Sequence, residues 1–291
     1  MNQFAGKTAV ISGGAEGIGF AIAAALGEQG MNIVLADIDT NSLESARERL
    51  EHAGASVLAV ALDVAIEAQW EEVAERAVAR FGKVHMIVNN AGVGGEAGAI
   101  EQQDAKVWQW ALDVNLMGVV YGAKIMVPLI KAHGEGGWIV NVASRAGMGG
   151  VPYSGAYTAT KMAVVALSES WAGELEEQGI AVSVLCPAFV QTRIHESHRN
   201  RQASYQSDTN HSAAANPVTE KARKAVENGI EASIVGKRVV EALNDGELYI
   251  FTHPNYRPVL QYRAKKIDEA FERAAQSPLL QHIVNQKIDM L

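Results

Sequence analysis

Tyr157 and Lys161 stand four residues apart in the stretch GAYTATK, with only small side chains between them. One helical turn separates positions i and i+4, so a helix here sets the phenol beside the ammonium. A phenol of pKa near 10 is a poor base at neutral pH, and a neighbouring cation favours its ionised form. A unit charge at about 4 Å in an effective dielectric near 20 is worth roughly 4 kcal/mol, or about three pKa units, enough to bring a tyrosine toward neutrality. That is the chemistry of a general base acting on an alcohol proton. The same pair is ordinary on a solvated helix face, so other residues must support the catalytic reading. Tyr153 is two turns from Lys161 and does not compete for it.

A second group of residues suits a phosphate. SGGAEGIGF places Gly13, Gly17 and Gly19, with Ile18 between the last two, where an apolar run turns into a helical pattern. Glycines at such a turn let the backbone approach a pyrophosphate, which then sits at the positive end of the helix. The next apolar run ends in Asp37, eighteen residues beyond Gly19. A carboxylate there can accept both ribose hydroxyls of NAD and would repel a 2′-phosphate. The turn offers Glu16, Ile38 follows Asp37, and no Arg or Lys lies nearby in the sequence, so NAD is the expected cofactor. The plainer reading makes Asp37 or Asp39 an ordinary loop acid. Asp63 and Val64 are expected beside the adenine, and Asn89, Asn90, Ala91 and Gly92 beside the cofactor crevice; either group could also simply close a turn.

These residues need a scaffold that brings strand ends together. Short runs, apolar throughout, at 8–12, 32–37, 56–62, 86–90, 138–144 and 182–187 alternate with helical patterns at 17–29, 40–52, 66–81, 104–131 and 157–177. Thr40 and Asp104 offer N-caps. This rhythm means an α/β fold of the Rossmann type, a doubly wound parallel sheet with helices on both faces. Ligands of such sheets bind at the carboxyl ends of the strands, and Ser144 closes the fifth run. After residue 188 the rhythm breaks. The polar segment 195–216 reads as a mobile loop or lid within 195–230, helical patterns resume at 217–228 and 233–244, and 247–253 reads as a last strand. Residues 1–254 form the expected dinucleotide-binding and catalytic domain, with 255–291 a helical extension.

Composition agrees. The 291 residues are 48% hydrophobic and 20% charged with a net charge of −8, which excludes a nucleic-acid partner as the expectation. The single Cys186 lies in an apolar run and permits no intrachain disulfide. The N-terminus lacks the pattern of a signal peptide, and no apolar run approaches the roughly 20 residues that span a bilayer. No membrane association and a cytoplasmic location are expected.

Taken together, SGGAEGIG, Asp37, Asp63, NNAG at 89–92, Asn115 in DVNLMG, Ser144, the Tyr157/Lys161 pair and CPAFVQT at 186–192 resemble the short-chain dehydrogenase/reductase superfamily over residues 5 to about 192. Ser12 stands where threonine is usual, and Ala188 where glycine usually follows the proline. The resemblance implies an NAD-dependent oxidoreductase with Tyr157 as general base, Lys161 lowering its pKa and holding the nicotinamide ribose, and Ser144 binding the substrate oxygen. It further implies that Asn115 supports a proton relay, that Pro187, Val190 and Thr192 flank the carboxamide, and that the chain forms a homodimer or homotetramer. QTRIHESHRNR (191–201) and LYIFTHPNYR (248–257) are more narrowly similar to the NAD-dependent Cα-dehydrogenases that oxidise the benzylic alcohol of lignin-type aryl ethers. A long loop suits such a bulky alcohol or ketone substrate, and Val151, Phe189 and Ile194 are its expected apolar lining.

Other readings stay in view. A hydroxysteroid or another bulky secondary alcohol suits the same features. An NADPH-dependent reductase is opposed by Asp37, and a non-catalytic dinucleotide sensor is opposed by the presence of both Tyr157 and Lys161. His195, His198 and His211 sit in a polar loop poor in acids and are read as solvated, with no metal expected. Trp108 and Trp110 are read as packing or subunit-contact residues.

Overall fold

The computed structural model describes residues 2–206 and 217–287. Seven strands, β1 (Thr8–Ser12), β2 (Asn32–Asp37), β3 (Val57–Ala61), β4 (Met86–Asn89), β5 (Gly137–Val142), β6 (Ile180–Cys186) and β7 (Tyr249–Phe251), form one sheet in the order β3-β2-β1-β4-β5-β6-β7. Every pairing is parallel. The order reverses at β1 and β4, so the carboxyl ends of these two strands flank the crevice where ligands of open α/β sheets bind.

The strands are apolar throughout because they are covered on both faces. Ala9, Ile11, Ile33 and Leu35 point into a core shared with α1 (Gly17–Glu28), α2 (Thr40–His52) and α8 (Ala232–Asp245). Val10, Val34, Ile87 and Ile139 point the other way, toward α3 (Glu67–Phe81), α4 (Ala105–Leu112), α5 (Gly118–Ala132) and α6 (Gly155–Leu175). The period-two alternation of side chains along each strand thus feeds two cores at once. α1 and α8 cross at Gly236, where a Cβ would come within 2.2 Å of the Ala21 carbonyl oxygen.

Several expectations need correction. The helix expected at 104–131 is interrupted: α4 passes through a π-helical turn, Asp113–Met117, before α5 begins, and that turn carries Asn115. Asp104 does cap α4, accepting from the Lys106 amide at 2.8 Å, but α2 is capped by Asp39, not Thr40; its carboxylate accepts from the Ser42 amide at 3.1 Å. Segment 195–216 is not featureless. It begins with two 3₁₀ stretches, Ile194–Asn200 and Ala203–Tyr205, while 207–216 lie outside the described residues. The stretch Ala105–Ala132 also contains an 18-residue window, of mean hydropathy 1.4, long and apolar enough to cross a membrane by length and composition. It lies on the sheet instead, burying Trp110, Met126 and Ile130.

The chain divides into two compact units at Thr252 and His253. The second unit has a 3₁₀ turn, Pro254–Tyr256, and a helix, α9 (Arg257–Ala275). Helix was expected to 291; it stops at Ala275, and turns follow over 278–285.

Candidate active site

A cavity of about 470 Å³ opens over the carboxyl ends of β1, β2, β4, β5 and β6 and gathers nearly all the residues singled out above. Its walls include Gly13, Gly17, Ile18, Asp37, Asp63, Val64, Asn90, Ala91 and Gly92 at one end, and Ser144, Tyr157, Lys161, Pro187, Val190 and Thr192 at the other. Gly19 and Asn115 do not line it. Gly19 acts through its missing side chain, since a Cβ there would lie 2.2 Å from the Gly13 carbonyl oxygen.

The β1 and β4 exits are stapled together. Asn90 Nδ2 donates to the carbonyls of Ser12 (2.9 Å) and Gly13 (2.8 Å), and the Ser12 hydroxyl accepts from the amides of Asn90 (3.0 Å) and Ala91 (3.2 Å). Serine therefore makes here the hydrogen bonds needed at the position where threonine was the expected residue. Gly13 adopts φ +61° and would clash with Ala91 Cα at 2.8 Å if it carried a Cβ. α1 starts immediately after this turn with no side-chain cap and no acid in its first turn. Free amides at a positive helix end, under a backbone stripped of side chains, fit a pyrophosphate.

Asp37 ends β2 with its carboxylate fixed by the amides of Ala15 (3.1 Å) and Asp39 (3.0 Å). Burial raises its pKa, and the two amide bonds oppose that rise. Asp63 Oδ1 accepts from the Ala65 amide and Oδ2, at 2.7 Å, from Gln202 Nε2 of the loop, so each of its oxygens has a partner. Asn115 is fully buried. Its side chain clasps Val93, accepting from the amide at 2.7 Å and donating to the carbonyl at 2.9 Å, and also donates to Thr160 Oγ1 at 3.3 Å. It stands behind Gly92, where a Cβ would lie 3.3 Å from both Asn115 Oδ1 and Lys161 Nζ.

At the opposite end, α6 presents Tyr157 and Lys161 from its first two turns. The half-buried Tyr157 phenol faces the cavity, while Lys161 is only 3% exposed. Lys161 Nζ donates to the Val142 carbonyl at 2.8 Å and lies 5.8 Å from the centroid of the Tyr157 ring. The Val142 carbonyl is thus the hydrogen-bond partner that holds the ammonium. Burial raises the pKa of the phenol, opposed by a hydrogen bond with Ser144 and by the charge of Arg145. Burial likewise pulls Lys161 down to about 8. Ser144 Oγ also accepts from the Ala146 amide at 3.1 Å, capping the 3₁₀ turn Arg145–Gly147.

The loop after β6 closes over this cavity. Arg193 and Arg199 both reach Glu16 of the glycine turn, at 2.9 and 2.8 Å. This corrects the expectation that no cation approaches the turn: both arginines come from more than 170 residues away. Ser197 Oγ accepts from the Gly94 amide, Arg201 pairs with Glu96 and Tyr205 donates to Asp113. Val151, Phe189 and Ile194 line the substrate end as expected, joined by Ala222 and Val226 of α7 (Pro217–Glu227). Tyr153 is exposed and adopts φ +64°.

Sequence reasoning missed Arg145, the two latch arginines, and a buried polar chain in which Asn89 donates to Asn141, Asn141 to Ser168 and Ser168 to the Val164 carbonyl. Asparagine inside the apolar run WIVNVAS was the available signal for the last. Of the three loop histidines, His195 lines the cavity, His198 is exposed and His211 lies outside the described residues. His85, His133 and Glu135 bring ligand-type atoms within 4.8 Å of one another at the other end of the sheet. Each ring nitrogen there already has a protein partner, Thr8 N and Glu135 for His85, Val84 O and Glu135 N for His133, so the cluster is structural.

The short chain dehydrogenase family model matches residues 7–203. The chain is 34% identical to a "CLA biosynthesis dehydrogenase/reductase" of Lactiplantibacillus plantarum, over 92% of this chain and 95% of that one. It is 31% identical to the "C alpha-dehydrogenase" of Sphingobium sp. strain SYK-6, over 90% of this chain and 85% of the relative. Among solved structures, a short chain dehydrogenase/reductase from Burkholderia phymatum in complex with NAD superposes with a TM-score of 0.89 at 36% identity, covering 93% of this chain and 97% of that one.

Proposed function

The chain belongs to the short-chain dehydrogenase family, and within that family we propose that it is an NAD-dependent dehydrogenase of a bulky, aromatic secondary alcohol, acting on the benzylic Cα-alcohol of a lignin-type aryl ether. The observation that carries the reading is the meeting of Ser144, Tyr157 and Lys161 in one cavity with a glycine turn at its far end and an apolar wall of Val151, Phe189, Ile194 and Val226 beside the phenol. The similarity to the C alpha-dehydrogenase and to the NAD complex supports the substrate and the cofactor.

NAD, when bound, would supply the hydride acceptor for oxidation and, in its reduced form, the hydride donor for reduction. Gly13, Gly17 and Ile18 would hold its pyrophosphate, Asp37 its adenosine ribose, Asp63 and Val64 its adenine, and Asn90, Ala91, Gly92, Pro187, Val190 and Thr192 its nicotinamide half. Ser144 donates to the substrate oxygen, and Tyr157 Oη takes the alcohol proton. Lys161 is the buried cation beside the phenol and a donor toward the ribose; Asn115 holds Val93 and with it the crevice wall. The enzyme is read as a cytoplasmic homo-oligomer.

The test is NAD⁺ reduction with an arylglycerol β-aryl ether, a hydroxysteroid and a small aliphatic alcohol, run beside Tyr157→Phe. The aryl ether should turn over, and the variant should lose on the order of 100-fold or more. Turnover of the steroid alone removes the aryl-ether assignment. An unimpaired Tyr157→Phe enzyme removes the catalytic one.

A further inference from the structure

Gln202 places a carboxamide in the wall of the cavity, at the end where Asp63 and Val64 lie. Its Nε2 donates to Asp63 Oδ2 at 2.7 Å. An ionised carboxylate only accepts, so this bond fixes which end of the amide is nitrogen and which is oxygen. The oxygen, Oε1, is buried and has no hydrogen-bond partner among the described residues. Buried acceptors are paired as a rule, and an exception calls for an explanation.

Slack in the chain does not supply one, because Gln202 is held from both sides. Arg201 pairs with Glu96 and lies 5.2 Å from the centroid of a Trp110 ring, and Tyr205 donates to Asp113. Two acceptors therefore stand within one hydrogen bond of each other at this end of the cavity, Asp63 Oδ2 and Gln202 Oε1. A carboxylate oxygen can accept a second hydrogen bond beside the one from Nε2. What the pair lacks is a donor with two hydrogens. The exocyclic amine of adenine is such a group, planar with two diverging N–H bonds, whereas hypoxanthine carries a carbonyl at the same ring position. We propose that Gln202 is an adenine-recognition residue: Oε1 accepts one hydrogen of the amine while Asp63 Oδ2 accepts the other. The segment after β6 then reads the base as well as covering it. This inference rests on NAD as the cofactor of the site.

The test is binding without turnover. The full chain and its Gln202→Met variant, which keeps the side-chain length and loses both polar atoms, are titrated calorimetrically with NAD⁺ and with nicotinamide hypoxanthine dinucleotide. The parent should prefer NAD⁺. In Gln202→Met that preference, the ratio of the two Kd values, should shrink roughly 3- to 10-fold, the worth of one hydrogen bond. An unchanged ratio, with both dinucleotides weakened alike, would show that Gln202 only holds the loop and would overturn the inference. Tighter binding of NAD⁺ by the variant would overturn it too, because Gln202 would then compete with adenine for Asp63. A parent that binds neither dinucleotide removes the cofactor reading itself, and this inference with it. Should Gln202→Met melt well below the parent, Gln202→Asn, polar but one methylene short, must show the same loss of preference.

Discussion

Burial drives Tyr157 and Lys161 in opposite directions, the phenol up and the ammonium down to about 8. Each shift disfavours the charged form, and the forces that restore a phenolate come from Ser144 and Arg145. Arg145 favours the ionised phenol, so its loss should raise the pKa of Tyr157. For Arg145→Gln, the acid limb of kcat/KM for alcohol oxidation, where activity rises as the phenol ionises, should move to higher pH while the plateau above it survives; a limb that stays in place would exclude Arg145 from this role. Residue types and the spacing of the pair were legible in the sequence. The position of the charge was not, because the Val142 carbonyl, nineteen residues earlier, claims Lys161 Nζ. Asn115 shows the same limit: its motif identifies it, but only the fold reveals that the side chain clasps Val93.

At the scale of elements, strands and helices could be read because each is an unbroken apolar run or a local periodic pattern. The π turn at Asp113–Met117 could not, since a helix with one extra residue in a turn keeps the composition of an ordinary one. The latch was equally hidden: Arg199 and Glu16 are 183 residues apart. Glu16 accepts two partly exposed guanidiniums, each pair worth about 0–1 kcal/mol. Glu16→Gln should therefore loosen the loop and raise KM for the dinucleotide roughly 2- to 5-fold, with the wild-type enzyme losing that advantage at high salt. An unchanged KM in titrations at low and high salt would show that the latch does not serve cofactor retention.

The His85–His133–Glu135 cluster ties β4 to the turn before β5, and it predicts a pH effect. Burial lowers the pKa of His85. Unfolded chains then bind protons first as pH falls, so the stability contributed by neutral His85 is present above its unfolded pKa of about 6.5 and is lost below it. Melting temperature should fall from pH 7.5 to 5.5, and the fall should shrink in His85→Gln. An equal fall in both proteins would place the acid sensitivity elsewhere.

For the whole molecule, the strand–helix alternation specified a parallel sheet covered on both faces, and the sheet has that form. The order of its strands was not legible in the sequence, because pairing partners such as β1 and β4 share no local signal. That order has a consequence on the ribosome. β1, synthesised before its partners in the sheet, is an inner strand, and one of its edges is completed only by Met86–Asn89. At about 5–20 residues per second, roughly 4–16 seconds pass before that neighbour exists. Throughout that interval the nascent chain carries TAVIS with an open edge, a window in which chaperone capture competes with aggregation.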